Sequence, residues 1–171
     1  DDEQEEPRVV QNGGVADKSY LPTYFKDESY YTEPSRQWLE KMGESELANL
    51  TRFKIGKREN GEMVAEIVWD KADLTGVNLE KDVKIIPRGV DVYPDQNNEH
   101  SKPMKGSKLN GPAEVTLYNI WMKDRKTTEA ADERKLKRFE NSLRNVNEKS
   151  DSTFLSWDPK NGIWRFRVKH F

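Results

Sequence analysis

Asn60-Gly61 stands between two runs of alternating apolar and polar residues, and no other feature restricts the fold so strongly. Both residue types tolerate the left-handed backbone that a two-residue type I′ turn requires. Such a turn carries the same twist as a pair of antiparallel strands. A hairpin is therefore predicted, with arms Arg52 to Arg58 and Glu62 to Asp70. In its second arm Met63, Ala65, Ile67 and Trp69 fall on one face. A second hairpin closes the sequence, with arms Thr153 to Asp158 and Ile163 to His170 around a turn at Asn161-Gly162.

Between and before these hairpins the signals are shorter. Tyr30 to Ser35 is an extended lead-in to a helix that Pro34 can open. Trp38, Leu39 and Met42 are placed on one face of that helix, and Gly43 breaks it. Glu44 to Leu50 adds a further turn or two. Short strands are expected at Val83 to Ile86 and Val90 to Tyr93, with Pro87-Arg88-Gly89 between them. A strand is expected over Ala113 to Trp121. Thr128 to Asn147 gives the strongest helical pattern, with a stripe of Leu136, Phe139, Leu143 and Val146. Strands outnumber helices and hairpins join them. The class is therefore α+β, a mostly antiparallel β-sheet flanked by α-helices.

The chain of 171 residues suits one domain. Its charged fraction of 35% exceeds its apolar fraction of 33%, but five Trp, six Tyr and six Phe supply large areas to bury. Five of the first six residues are acidic, and Gly13-Gly14 follows, so residues 1–19 read as a flexible acidic and Gly-rich linker ahead of a domain over 20–171. Without that acidic start the remainder is mildly basic, too weakly to mark a nucleic-acid footprint. There is no cysteine, which excludes a disulfide framework and thiolate chemistry. No run is apolar enough and long enough to span a membrane as a helix.

The last strand alternates. Trp164, Phe166, Val168 and His170 are expected on a core face, and Arg165, Arg167, Lys169 and Phe171 on a solvated one. RNA binding by stacked bases would need aromatics and cations side by side; here they lie on opposite faces, so RNA stays a weakly supported partner. His100 and His170 are far apart and lack metal-ligand spacing, so no metal or cofactor is expected. No nucleophile elbow or phosphate-binding glycine loop is present. The long polar loop from Pro94 to Pro112 reads equally as a binding loop and as a mobile one.

The ending Gly162-Ile163-Trp164-Arg165-Phe166-Arg167-Val168-Lys169-His170-Phe171 resembles the end of the autoproteolytic domain of the ninety-eight-kilodalton FG (GLFG) nucleoporin family. Tyr30 to Ser35, Phe53-Lys54-Ile55-Gly56, Asn78-Leu79 and Leu109 to Leu117 match in the same order. The divergence resembles that of a fungal paralogue. The resemblance implies a sheet flanked by helices, and self-cleavage after His-Phe when serine follows. The serine hydroxyl would attack the Phe171 carbonyl, with His170 as base and Asn110 assisting at the oxyanion. The sequence as it stands has no residue after Phe171. The expectation is therefore that it is not an enzyme as given: either a cleaved product or a paralogue whose gene stops there.

The resemblance also implies attachment at the nuclear pore complex, on its cytoplasmic face or elsewhere in the nuclear envelope. The implied partners are a β-propeller nucleoporin of the cytoplasmic filaments and the N-terminal segment of a scaffold nucleoporin. Lys102 and Pro103 match a family Lys-Pro in the loop that enters the propeller, so Lys102, Pro103, Asp95 and Phe171 are the expected partner-binding residues. Transport of protein and messenger RNA would be served by FG repeats upstream; no Phe-Gly dipeptide occurs in this sequence.

Overall fold

The computed structural model describes residues 17–94, 102–122 and 133–171. The expected linker lies, up to residue 16, outside the described residues. Six strands form one antiparallel sheet. They are β1 (Tyr30–Glu33), β2 (Phe53–Glu59), β3 (Glu62–Trp69), β6 (Ala113–Leu117), β7 (Thr153–Asp158) and β8 (Ile163–Val168). Their order across the sheet is β1-β2-β3-β6-β8-β7. A separate two-stranded ribbon pairs β4 (Val83–Ile86) with β5 (Gly89–Val92). Among the described residues four helices complete the fold: α1 (Arg36–Leu39), α2 (Glu44–Leu47), α3 (Leu79–Asp82) and α4 (Glu133–Lys149). The expected class is thus the observed one.

The first hairpin turns as its dipeptide dictates. Asn60 and Gly61 take φ of +53° and +80°, and Glu59 pairs with Glu62. The second turn is longer: Asp158 pairs with Ile163, and the Asp158 carboxylate accepts from the backbone N–H of Lys160 and Asn161.

One face of the sheet is buried. Ile55, Ile67, Val115 and Phe166 lie in one cross-strand row, and Phe53, Trp69, Ala113 and Val168 in the next. The Trp164, Phe166 and Val168 face therefore packs on the core, as alternation predicts. Leu39, Leu47, Leu74 and Leu79 from the short helices and their connections join the same cluster. At the other end α4 sets Phe139 against Trp157, with ring centroids 4.8 Å apart.

Three face assignments change. The predicted set Met63, Ala65, Ile67 and Trp69 loses Met63, because Lys57 pairs with Ala65 but Arg58 with Met63. Val64 is the extra residue of a bulge. It packs against the core while Met63 meets the Tyr31 hydroxyl on the opposite face. Trp38 points to solvent beside Lys41, since α1 is a single turn and only Leu39 and Met42 reach inward. In α4, Val146 is exposed and Asn147 is buried instead. At about 100° per residue, position 147 returns to within about 20° of Leu136, whereas 146 lags by about 80°. Asn147 uses this place to accept the Trp164 indole N–H at 3.2 Å.

The other sheet face stays half open and holds a polar cluster. Glu66 accepts from the hydroxyls of Tyr31 at 2.8 Å and Tyr118 at 3.2 Å, and pairs with Lys54 at 2.7 Å. Burial pushes the Glu66 carboxyl up, but the bonds from Lys54 and Tyr31 more than offset it, so it sits below its ordinary 4.5. A depressed acid gives stability that is full above the unfolded value and lost as pH falls through the folded one. Glu66→Gln is expected to cost about 1 kcal/mol near neutral pH, after allowing for solvent screening. The gap to the unaltered protein should close as pH falls below 4.5. Urea unfolding from pH 7 downward checks this; parallel curves for the two proteins would remove Glu66 from the account.

Candidate functional site

The strand that carries the site ends at Val168, two residues earlier than the alternation suggested. Past that point the chain leaves the ladder and its side chains no longer alternate. Phe171, expected on the basic face, turns to the buried one and sets its ring against Trp69, centroids 5.8 Å apart. Arg167 keeps the expected side and pairs with Asp70 at 2.6 Å.

Trp69 is the floor of this site. It is fully buried, faces Phe53 on one side and Phe171 on the other, and donates its indole N–H to the Leu109 carbonyl at 2.8 Å. The Leu109 N–H is in turn given to the Tyr93 hydroxyl at 3.1 Å. Burial pushes that phenol up to about 12, so it stays neutral. Lys108, beside Leu109, is occupied elsewhere. Its ammonium meets Asp73 at 3.2 Å and donates to the carbonyl and hydroxyl of Thr75. Burial raises the Asp73 carboxyl, and the Thr75 hydroxyl and N–H with Lys108 bring it below the ordinary range.

Asn110 joins two parts of the chain. It is 3% exposed. Its amide oxygen accepts the Phe171 N–H at 2.6 Å, and its amide nitrogen donates to the Pro103 carbonyl at 2.8 Å. One partner can only donate and the other can only accept, which fixes the orientation of the amide. Its backbone N–H goes to the Ser107 carbonyl and its own carbonyl takes the Gly106 N–H. Residues 103–110 therefore wind around the Asn110 side chain, and that side chain holds the end of β8. His170 lies alongside, half-buried, with Nδ1 3.4 Å from the Phe171 carbonyl oxygen.

The structure thus brings His170, Phe171, Asn110 and Pro103 together, with half-buried Lys102 next to Pro103. Asp95 lies outside the described residues. Trp69, Leu109 and Tyr93 were missed as parts of the site. Trp69 read simply as the last core position of a hairpin arm. Nothing in the sequence marks a loop leucine as the acceptor for its indole. Among the described residues no group of acidic or histidine side chains could hold a metal ion, and no helix is long and apolar enough to cross a membrane.

The family model for the Nup98-96 autopeptidase S59 domain matches residues 27–171. The chain belongs to this family. Among its relatives, the nuclear pore complex protein Nup98-Nup96 of Dictyostelium discoideum is 35% identical over 84% of the chain. NUP98A of Arabidopsis thaliana is 32% identical over 97% of it. The domain spans only 7% and 16% of those two proteins. Among solved structures, a Chaetomium thermophilum Nup145N APD mutant fused to Nup145C N superposes with a TM-score of 0.69 at 28% identity. It covers 83% of this chain and 94% of the other. The C-terminal domain of Candida glabrata NUP116 gives 0.69 at 26% identity, over 94% and 98%. The domain is a nucleoporin module, and its place is the nuclear pore complex.

Proposed function

We propose that the domain attaches its nucleoporin to the pore by docking, through the turn around Pro103 and the adjoining Phe171 site. The partners would be a β-propeller nucleoporin of the cytoplasmic filaments or the N-terminal segment of a scaffold nucleoporin. Attachment of this kind would serve protein and messenger RNA transport. The observation that carries the reading is the pair of hydrogen bonds made by the Asn110 amide, which ties the Lys102-Pro103 segment to Phe171 and makes one surface of the two. A preformed surface loses little entropy on binding. The Chaetomium thermophilum domain, solved as a fusion to Nup145C N, supports the scaffold-segment partner. A chain of the same fold occurs in the yeast Nup82-Nup159-Nup116 complex; at 21% identity that likeness concerns the fold alone.

Lys102 would anchor the turn, its stem on apolar surface and its ammonium on an acidic partner group. Lys102→Glu is expected to weaken docking by about tenfold or more through the reversed charge, with the melting temperature unchanged. Calorimetric titration against both partner types checks this. An unchanged dissociation constant for each would reject the loop assignment. A second reading, self-processing, is favoured by the placement of His170 Nδ1 beside the Phe171 carbonyl oxygen.

A further inference from the structure

Two buried aromatic side chains hold one residue of the backbone between them. The Tyr93 hydroxyl accepts the Leu109 N–H at 3.1 Å, and the Trp69 indole donates to the Leu109 carbonyl at 2.8 Å. Tyr93, Trp69 and Leu109 are all buried. Both backbone polar groups of Leu109 are therefore engaged away from water, and neither bond belongs to a strand ladder. A residue held at its N–H and at its C=O has little freedom to tilt. The residue that follows it is Asn110, whose amide oxygen accepts the Phe171 N–H at 2.6 Å.

Tyr93 meets Leu109 from an uncommon backbone conformation. The strand expected over Val90 to Tyr93 ends at Val92, and Tyr93 takes φ of +63°. A bulky side chain is an outlier there. Such a conformation persists only where the surroundings over-determine it. Here the Tyr93 N–H is bonded to the Asp82 carbonyl at the end of α3, and the phenol is bonded to Leu109. The strained residue is thus tied at both its ends, and what it aims is a single hydroxyl.

We propose that Tyr93 is a positioning residue for the release of a segment that follows Phe171. Its hydroxyl orients Leu109, Leu109 sets the place of Asn110, and Asn110 holds the amino side of the reacting bond. The inference rests on the self-processing reading above. Tyr93 takes no part in the bond changes and acts only through Leu109 and Asn110. The lever is nonetheless large, because a misplacement of about 1 Å at reacting atoms costs up to about 100-fold in rate. Without the hydroxyl the Leu109 N–H stays buried with no acceptor, and the peptide must shift to find one.

The test compares two hydroxyls with the same structural task. Tyr30 accepts the Ile85 N–H at 2.9 Å, on β4, as Tyr93 accepts that of Leu109. Tyr93→Phe and Tyr30→Phe each take the acceptor from one backbone N–H. Both are made in the full chain extended by a serine and a short tail, and release is followed by intact mass. Tyr93→Phe is expected to slow release by about tenfold, and Tyr30→Phe to leave it unchanged. On an Asn110→Ala background Tyr93→Phe should slow release by less than about twofold further, because the two residues act in series. In the chain without a tail, Tyr93→Phe should speed hydrogen exchange at the Phe171 amide and Tyr30→Phe should not. Release at full rate in Tyr93→Phe would overturn the proposal alone. An equal slowing in Tyr30→Phe would also overturn it, since the effect would then be one of stability. No release from the unaltered extended chain would overturn the processing reading and this proposal with it.

Discussion

Trp69→Ala is expected to destabilise the domain by about 3–5 kcal/mol, the range for deleting a buried large aromatic. The indole is fully buried, touches Phe53 and Phe171, and satisfies the Leu109 carbonyl. Its removal leaves a cavity and an acceptor without its donor, and both costs fall on one site. The Phe171 ring loses its floor, so the loss should extend to the end of β8. Trp69→Phe separates the two contributions. It keeps an aromatic face for Phe171 but gives up the bond to Leu109, and should cost less than the alanine change. Urea unfolding measures the stability, and hydrogen exchange at the Phe171 amide reports the site. A loss for Trp69→Ala no larger than that of an exposed substitution would mean the indole is not the floor described here.

Much of this architecture was legible, and the misses share a cause. The Asn60-Gly61 turn and the alternation over residues 65–69 and 163–168 are local signals, and each is realised. The Val64 bulge was not legible, because nothing in Met63-Val64-Ala65 distinguishes a bulged strand from a regular one. An apolar stripe ends on Val146 and not on Asn147, while the position requires a polar group able to meet the Trp164 indole. The site shows the same limit more sharply. His170, Phe171, Asn110, Lys102 and Pro103 came from resemblance to a family. That Asn110 binds the Phe171 N–H with one end and the Pro103 carbonyl with the other is a contact across 61 residues of sequence. Such contacts depend on where the sheet places its strands, and no local pattern encodes them. The loop from Pro94 to Pro112 read equally as a binding loop and a mobile one; its described part is wound around a buried side chain.

That same contact shapes the second large effect. A serine and a short tail added after Phe171 are expected to be released, and His170→Ala is expected to slow release by about 100-fold or more, the usual worth of a positioned base. The reacting peptide is constrained on its amino side, since the Phe171 N–H is held by Asn110 at 2.6 Å and the ring by Trp69. The residue is thereby held on the amino side of the reacting bond before the reaction begins, which removes part of the entropic cost. The added serine hydroxyl would attack that carbonyl carbon while its proton passes to His170, already 3.4 Å from the carbonyl oxygen. The C–N bond breaks as the C–O bond forms, the serine amine gains the proton, and water then opens the ester. Intact mass followed over time measures the release. Asn110→Ala should also slow it, with Phe171 less firmly held, while Met104→Ser should leave the rate unchanged because that side chain faces solvent. A stable tail in a folded chain would show that His170 and Asn110 hold Phe171 without processing it, leaving docking as the work of this surface. Release that persists in His170→Ala would place the base elsewhere.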